Sequence, residues 1–156
     1  MIIRPEINGA IIEIEIQPGE ILLDVLRRAG YTGVKEGCRE GECGACVVLL
    51  DGKPVNSCLI LAIRTDSRKI TTIEGIGSIQ CPHRLQEIFV EEGAVQCGYC
   101  TPGILLSVKA LLDSTPSPTD DQIREALDGH LCRCTGYTKI FAAIKRAILE
   151  IPDWNS

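Results

Sequence analysis

Glu36-Gly37-Cys38-Arg39-Glu40-Gly41-Glu42-Cys43-Gly44-Ala45-Cys46 is the stretch on which the reading of this chain turns. Four residues separate its first two cysteines and two separate the next pair, and Cys58 follows after eleven more. A C-x4-C-x2-C run with a distant fourth cysteine is the plant-type spacing for a 2Fe-2S centre. A loop wrapped around an anionic cluster must turn tightly and aim its amides at sulfur. Gly37, Gly41 and Gly44 permit the turns and the close backbone approach. A structural zinc site of four thiolates is the competing reading. Such sites usually come as two short pairs, which the wide first gap fits poorly.

Further along the chain, Cys97-Gly98-Tyr99-Cys100 and Cys132-Arg133-Cys134 supply a second set of four, with 31 residues between the pairs. On spacing alone, zinc competes here. The flanks favour iron–sulfur. Cys100 is followed by Thr101-Pro102-Gly103, in which Thr101 is a natural N-cap and Pro102 a natural first helical residue. Cys134 is followed by Thr135-Gly136-Tyr137 and a second helical pattern. Each pair is thus predicted just before a helix N-terminus, where amides and the helix dipole stabilise negative charge. The repeated order of pair, threonine and helix predicts an approximate two-fold axis. Of nine cysteines only Cys81 is left over, and it reads as a free thiol.

The residues around the first set have a strand period. Strands are predicted over 2–7 and 10–16, joined by an Asn8-Gly9 hairpin turn. Ile12, Ile14 and Ile16 alternate with Glu13 and Glu15, giving one buried and one wet face. Pro18-Gly19 breaks the run, and Leu22, Leu23, Val25 and Leu26 mark a short helix closed by Gly30. Residues 46–50 and 55–58 read as a hairpin around Asp51-Gly52, and 70–73 as a last strand. Beyond Gly75-Ile76-Gly77-Ser78 the period becomes helical. Four helices are expected, carrying Leu85, Ile88 and Phe89; Ile104, Leu105, Val108, Leu111 and Leu112; Ile123, Ala126 and Leu127; and Ile140, Phe141, Ile144, Ile148 and Ile151. The third has a capping-box start, Thr119-x-x-Gln122, and a Gly129 stop. The fold class is therefore α+β, a small strand-rich domain over 1–76 followed by a four-helix bundle over 77–156.

Composition narrows the function. Apolar residues make up 45% of the 156, enough for a packed core, and the net charge is −5 with scattered lysines and arginines, so nucleic acid is not an expected partner. The apolar runs are too short to span a bilayer. The first residues carry no secretory pattern, and nine cysteines in such a chain point to a reducing compartment, so a cytoplasmic location is expected. No Ser–His–Asp set, phosphate loop or dinucleotide fingerprint is present, and no catalytic residue is expected.

The stretch 36–46, with Gln96-Cys97-Gly98-Tyr99-Cys100-Thr101-Pro102-Gly103 and Leu131-Cys132-Arg133-Cys134-Thr135-Gly136-Tyr137, resembles the iron–sulfur subunit of the xanthine oxidase (molybdenum hydroxylase) family. The resemblance implies a plant-ferredoxin-like β-grasp domain and a four-helix domain, each holding one 2Fe-2S cluster. The metal ligands would be Cys38, Cys43, Cys46 and Cys58, then Cys97, Cys100, Cys132 and Cys134. It also implies a large subunit with a molybdenum–pterin cofactor and a medium subunit with FAD, in a heterotrimer or a dimer of heterotrimers. Electrons would run from molybdenum through the helical-domain cluster and then the β-grasp cluster to FAD. By motif position Cys134 would lie against the pterin, with Gln96 a polar neighbour; alternatively Gln96 is a capping amide. The chain departs from the family pattern at His130, where asparagine is usual, and at Cys81-Pro82-His83, where His-Pro is usual. His130 reads as a hydrogen-bonded core group. A freestanding two-cluster ferredoxin is the alternative function.

Overall fold

The computed structural model describes residues 1–151. The predicted 2–7 strand is split at Arg4-Pro5 into β1 (Ile2–Ile3) and β2 (Glu6–Ile7), because Pro5 has no N–H to give to a ladder. The return is split to match, into β3 (Ala10–Ile11) and β4 (Ile14–Glu15). Ile2 faces Glu15 across one short sheet, and Glu6 faces Ile11 at the edge of the other. Asn8 and Gly9 have φ of 53° and 83°, as a two-residue hairpin turn demands.

Helix α1 (Leu22–Arg28) buries Leu22, Leu23, Val25 and Leu26 against Ile3, Ile7, Ile16 and Ile70. Strands β5 (Val47–Leu50), β6 (Lys53–Asn56) and β7 (Lys69–Thr71) complete a sheet of order β3-β2-β7-β5-β6, with β2 and β7 parallel and the other pairs antiparallel. This sheet wrapped on one helix is the ferredoxin-like layer. Two strand ends differ from expectation. Cys58 lies on a 3-10 turn, Ser57–Leu59, rather than in the strand, because the Ser57 hydroxyl donates to the Cys46 carbonyl at 2.8 Å and ends the ladder. Ile73 lies on the turn Ile73–Gly75, because Thr72 turns aside to bond Asn8 and Glu74.

The helical half holds α2 (Arg84–Glu91), α3 (Thr101–Ser114), α4 (Asp120–Leu127) and α5 (Thr138–Glu150). The predicted stripes meet in one core that includes Phe89, Ile104, Val108, Leu112, Ile123, Ile140 and Ile144. Arg84 and Arg146 tie α2 to α5 through Glu91 and Glu150. Thr119 and Gln122 form the predicted capping box of α4. A second box, His83 with Gln86, starts α2; the sequence gives little sign of it, since histidine is an unusual cap. Thr119→Ala leaves the Gln122 amide without its cap and is expected to cost about 1 kcal/mol, read as a fall of about 3 °C in a thermal melt.

Strand β5 joins the halves. Val48 and Leu50 point into the first core, while Val47 and Leu49 are buried against Leu106 of α3. No helix among the described residues is long and apolar enough to cross a membrane.

Candidate metal centres

The first cysteine loop runs between α1 and β5. The amides of Glu40 and Glu42 donate to the Cys38 sulfur at 3.3 and 3.4 Å, and the Cys38 amide donates to the Cys43 sulfur at 3.4 Å. These are the amide-to-sulfur bonds that the glycines of the loop are expected to permit. Arg39, at φ 60°, is held in that conformation by Asp24 at 2.6 Å and Glu36 at 2.5 Å. On the other side Cys46 and Cys58 are buried, and Asn56 ties the end of β6 to the loop through the Gly41 carbonyl at 2.9 Å. The Asn56 carbonyl oxygen lies 3.9 Å from the Cys46 sulfur.

In the second group the Cys134 and Cys97 sulfurs are 3.7 Å apart, and Cys100 contacts Cys132. The Thr135 hydroxyl lies 3.0 Å from the Cys132 sulfur and the Thr135 amide 3.5 Å from it. The predicted two-fold is only partial. Cys100 is itself the N-cap of α3, with helical φ and ψ of −79° and −18°, so Thr101 is the first helical residue rather than the cap. Helix α5 starts later, after Tyr137 in the left-handed region, and the Cys132 sulfur is served by a loop residue instead of a helix end.

The thiols differ in acidity. The amides of Glu40, Cys43 and Glu42 hold Cys38 down to about 6. Burial, then the neighbouring Cys46, pushes Cys58 up to about 11. Burial, then Cys132, pushes Cys100 up to about 12. Burial also raises Cys132, but the Thr135 hydroxyl and amide outweigh it and the thiol ends below the usual value. Cys134 is raised by its contact with Cys97. Each group thus offers one thiol eased towards thiolate, Cys38 or Cys132, beside one or more, Cys58 in the first and Cys100 and Cys134 in the second, that would give up a proton less readily.

The donors arrive in twos: Cys38 with Cys43, Cys46 with Cys58, Cys97 with Cys134, and Cys100 with Cys132. A binuclear centre asks for two thiolates on each iron, and the thiols fit that demand.

The two groups share a wall. A 220 Å³ cavity is lined by Cys97, Cys100, Cys132 and Cys134, and also by Gly37 and Cys43 of the first loop. The Leu131 amide donates to the Cys43 carbonyl at 3.0 Å, and the Tyr99 hydroxyl donates to the Glu36 carbonyl. The Tyr137 hydroxyl accepts from the Cys132 amide at 2.8 Å and donates to the His130 carbonyl at 2.9 Å. Sequence reasoning misses these contacts of Tyr99, Tyr137 and Asn56; positions inside or beside the cysteine motifs are the only signal it offers. Gln96 is exposed beside Cys97. His130 is buried with its Nε2 2.8 Å from the Ser107 hydroxyl, and burial lowers it to about 4, which keeps it neutral. Cys81 is an exposed thiol.

Comparison with known proteins agrees with this geometry. Residues 5–70 match the 2Fe-2S iron–sulfur cluster binding domain and residues 72–145 a second 2Fe-2S binding domain. The chain is 52% identical over 147 residues to the nicotinate dehydrogenase small FeS subunit of Eubacterium barkeri, covering 94% of each. It is 45% identical over 151 residues to the nicotine 6-hydroxylase small subunit of Paenarthrobacter nicotinovorans, covering 96% of this chain and 91% of that one. The quinoline 2-oxidoreductase structure from Pseudomonas putida 86 superposes with a TM-score of 0.91 at 41% identity, over 96% of this chain and 93% of that one. The aldehyde oxidoreductase of Desulfovibrio desulfuricans gives the same TM-score and identity over 94% of this chain but only 17% of its own, so there the fold is one part of a longer polypeptide. With two 2Fe-2S domains in this order and near full-length relatives of this kind, the chain belongs to the iron–sulfur electron-transfer subunits of the molybdenum hydroxylase family.

Proposed function

We propose that Cys38, Cys43, Cys46 and Cys58 hold one 2Fe-2S cluster and Cys97, Cys100, Cys132 and Cys134 the other, with the domain boundary between residues 76 and 77. A 2Fe-2S centre takes up and returns one electron at a time. The chain carries electrons from the molybdenum–pterin cofactor of a large subunit, at the Cys97 to Cys134 side, towards FAD on a medium subunit, at the Cys38 to Cys58 side. It works in a heterotrimer or a dimer of heterotrimers in the cytoplasm. The observation that carries this reading is the shared cavity, whose wall includes Cys43 of one group and all four cysteines of the other.

The chain's own residues set the conditions. Amides on the Cys38 and Cys43 sulfurs and the Thr135 hydroxyl on Cys132 stabilise charge on the thiolates. Cys97 and Cys134 are exposed beside Tyr99 and Leu131, themselves 49% and 63% exposed, which gives a partner an apolar edge to cover. Exposed Gln96 is free to meet the pterin there. Relatives that are subunits or parts of larger enzymes favour this role over a freestanding ferredoxin.

The test is purification with the co-encoded neighbouring chains. The expected product is a coloured complex with about four irons per copy of this chain and two distinct paramagnetic signals after reduction. A colourless protein holding zinc would overturn the ligand reading, and a coloured chain that associates with no molybdenum-containing partner would overturn the subunit reading.

A further inference from the structure

Three observations meet at His130. Its ring fills the space over Gly44, such that a Cβ on that glycine would lie 2.4 Å from Nδ1. Its Nε2 lies 2.8 Å from the hydroxyl of Ser107, in the second turn of α3. Its chain neighbour Leu131 makes the backbone bond to Cys43, and its own carbonyl is held by Tyr137. Gly103 presses on the Gly44 turn as well, since a Cβ there would stand 2.2 Å from the Gly44 carbonyl oxygen. The ring is therefore wedged between the first cysteine loop and the helix that starts at the second.

We infer that His130, anchored by Ser107, is a positioning residue for electron transfer between the two centres: it fixes the Leu131–Cys132 backbone against the Gly44 turn and so keeps the Leu131 N–H to Cys43 carbonyl bridge closed. That bridge is a short bonded route from a residue next to Cys132 to Cys43 itself. One electron leaves the second centre and one arrives at the first, with no proton moved and no bond made or broken. Without the wedge the two loops remain on their own elements, but the bridge between them opens more often. Ser107 lies outside the cysteine motifs, one helical turn past Gly103, and nothing in the ligand spacing predicts that it matters. The inference rests on the ligand assignment proposed above.

The test uses the assembled, cluster-loaded complex with Ser107→Ala, His130→Ala and His130→Asn. In Ser107→Ala the exchange of the Leu131 amide with deuterated solvent is expected to quicken about five-fold, the effect of one lost hydrogen bond. Reduction of the first centre through the second should slow, and the magnetic splitting between the two reduced centres should change, at unchanged iron content. His130→Ala should do the same more strongly, and His130→Asn, whose amide still offers a hydrogen bond towards Ser107, should recover part of it. Wild-type exchange, rate and splitting in Ser107→Ala would overturn the inference, including the case in which His130→Ala merely loses its clusters. Iron content well below four in the unsubstituted complex would count against the ligand assignment instead.

Discussion

Cys100→Ala in the assembled complex is expected to leave about two irons per chain where the unsubstituted chain holds about four, with one paramagnetic signal gone and the other intact. The substitution is a clean one. Cys100 caps α3 through its backbone alone and makes no side-chain capping bond, so alanine removes the thiol without uncapping the helix. Its thiol is also a reluctant one, pushed up to about 12 by burial. A group that costs this much to ionise is retained as a thiolate only by a metal. The surviving signal should be that of the Cys38 to Cys58 loop, whose residues the substitution does not touch. Electron delivery to the acceptor should fail with it, because the path from the exposed side is interrupted. Retention of four irons would show that Cys100 is no ligand.

Gly44→Ala should be strongly destabilising, because backbone and packing costs fall on the same residue. At φ 70° an L-residue is disfavoured by about 1–2 kcal/mol. The new Cβ would also meet His130 at 2.4 Å and the Gly129 carbonyl oxygen at 2.6 Å. Overpacking of that kind costs a further 1–3 kcal/mol or so. The expected result is a melting temperature lower by about 10 °C. Gly129→Ala is the matched control: its φ is 82°, but a Cβ there meets nothing within 4 Å. It should show the backbone cost alone. Equal melting temperatures for the two variants would mean that the loop moves freely off His130.

The parts of the fold that are legible in the sequence are those set by local chemistry. Asn8-Gly9 demands its turn, Thr119 and Gln122 demand their cap, and the apolar stripes of α2 to α5 demand a shared core. The eight grouped cysteines announce two centres whatever the fold around them. What is not legible depends on residues far apart in sequence. The run Val47-Val48-Leu49-Leu50 has two apolar faces, but that Leu106 covers the second is a fact of docking. The bonds from Tyr99 to residue 36 and from Leu131 to residue 43 arise only once the halves meet. The one-residue difference at the start of α3 has a similar cause: Cys100 is already helical, whereas capping chemistry favours the threonine beside it.

Strand β5, buried on both faces between the two cores, has a consequence for assembly. Neither half can unfold without stripping apolar cover from the other, so their folding equilibria are linked. Metal uptake that stabilises one half therefore lowers the free energy of ordering the other. Ordering of the two halves is accordingly cooperative.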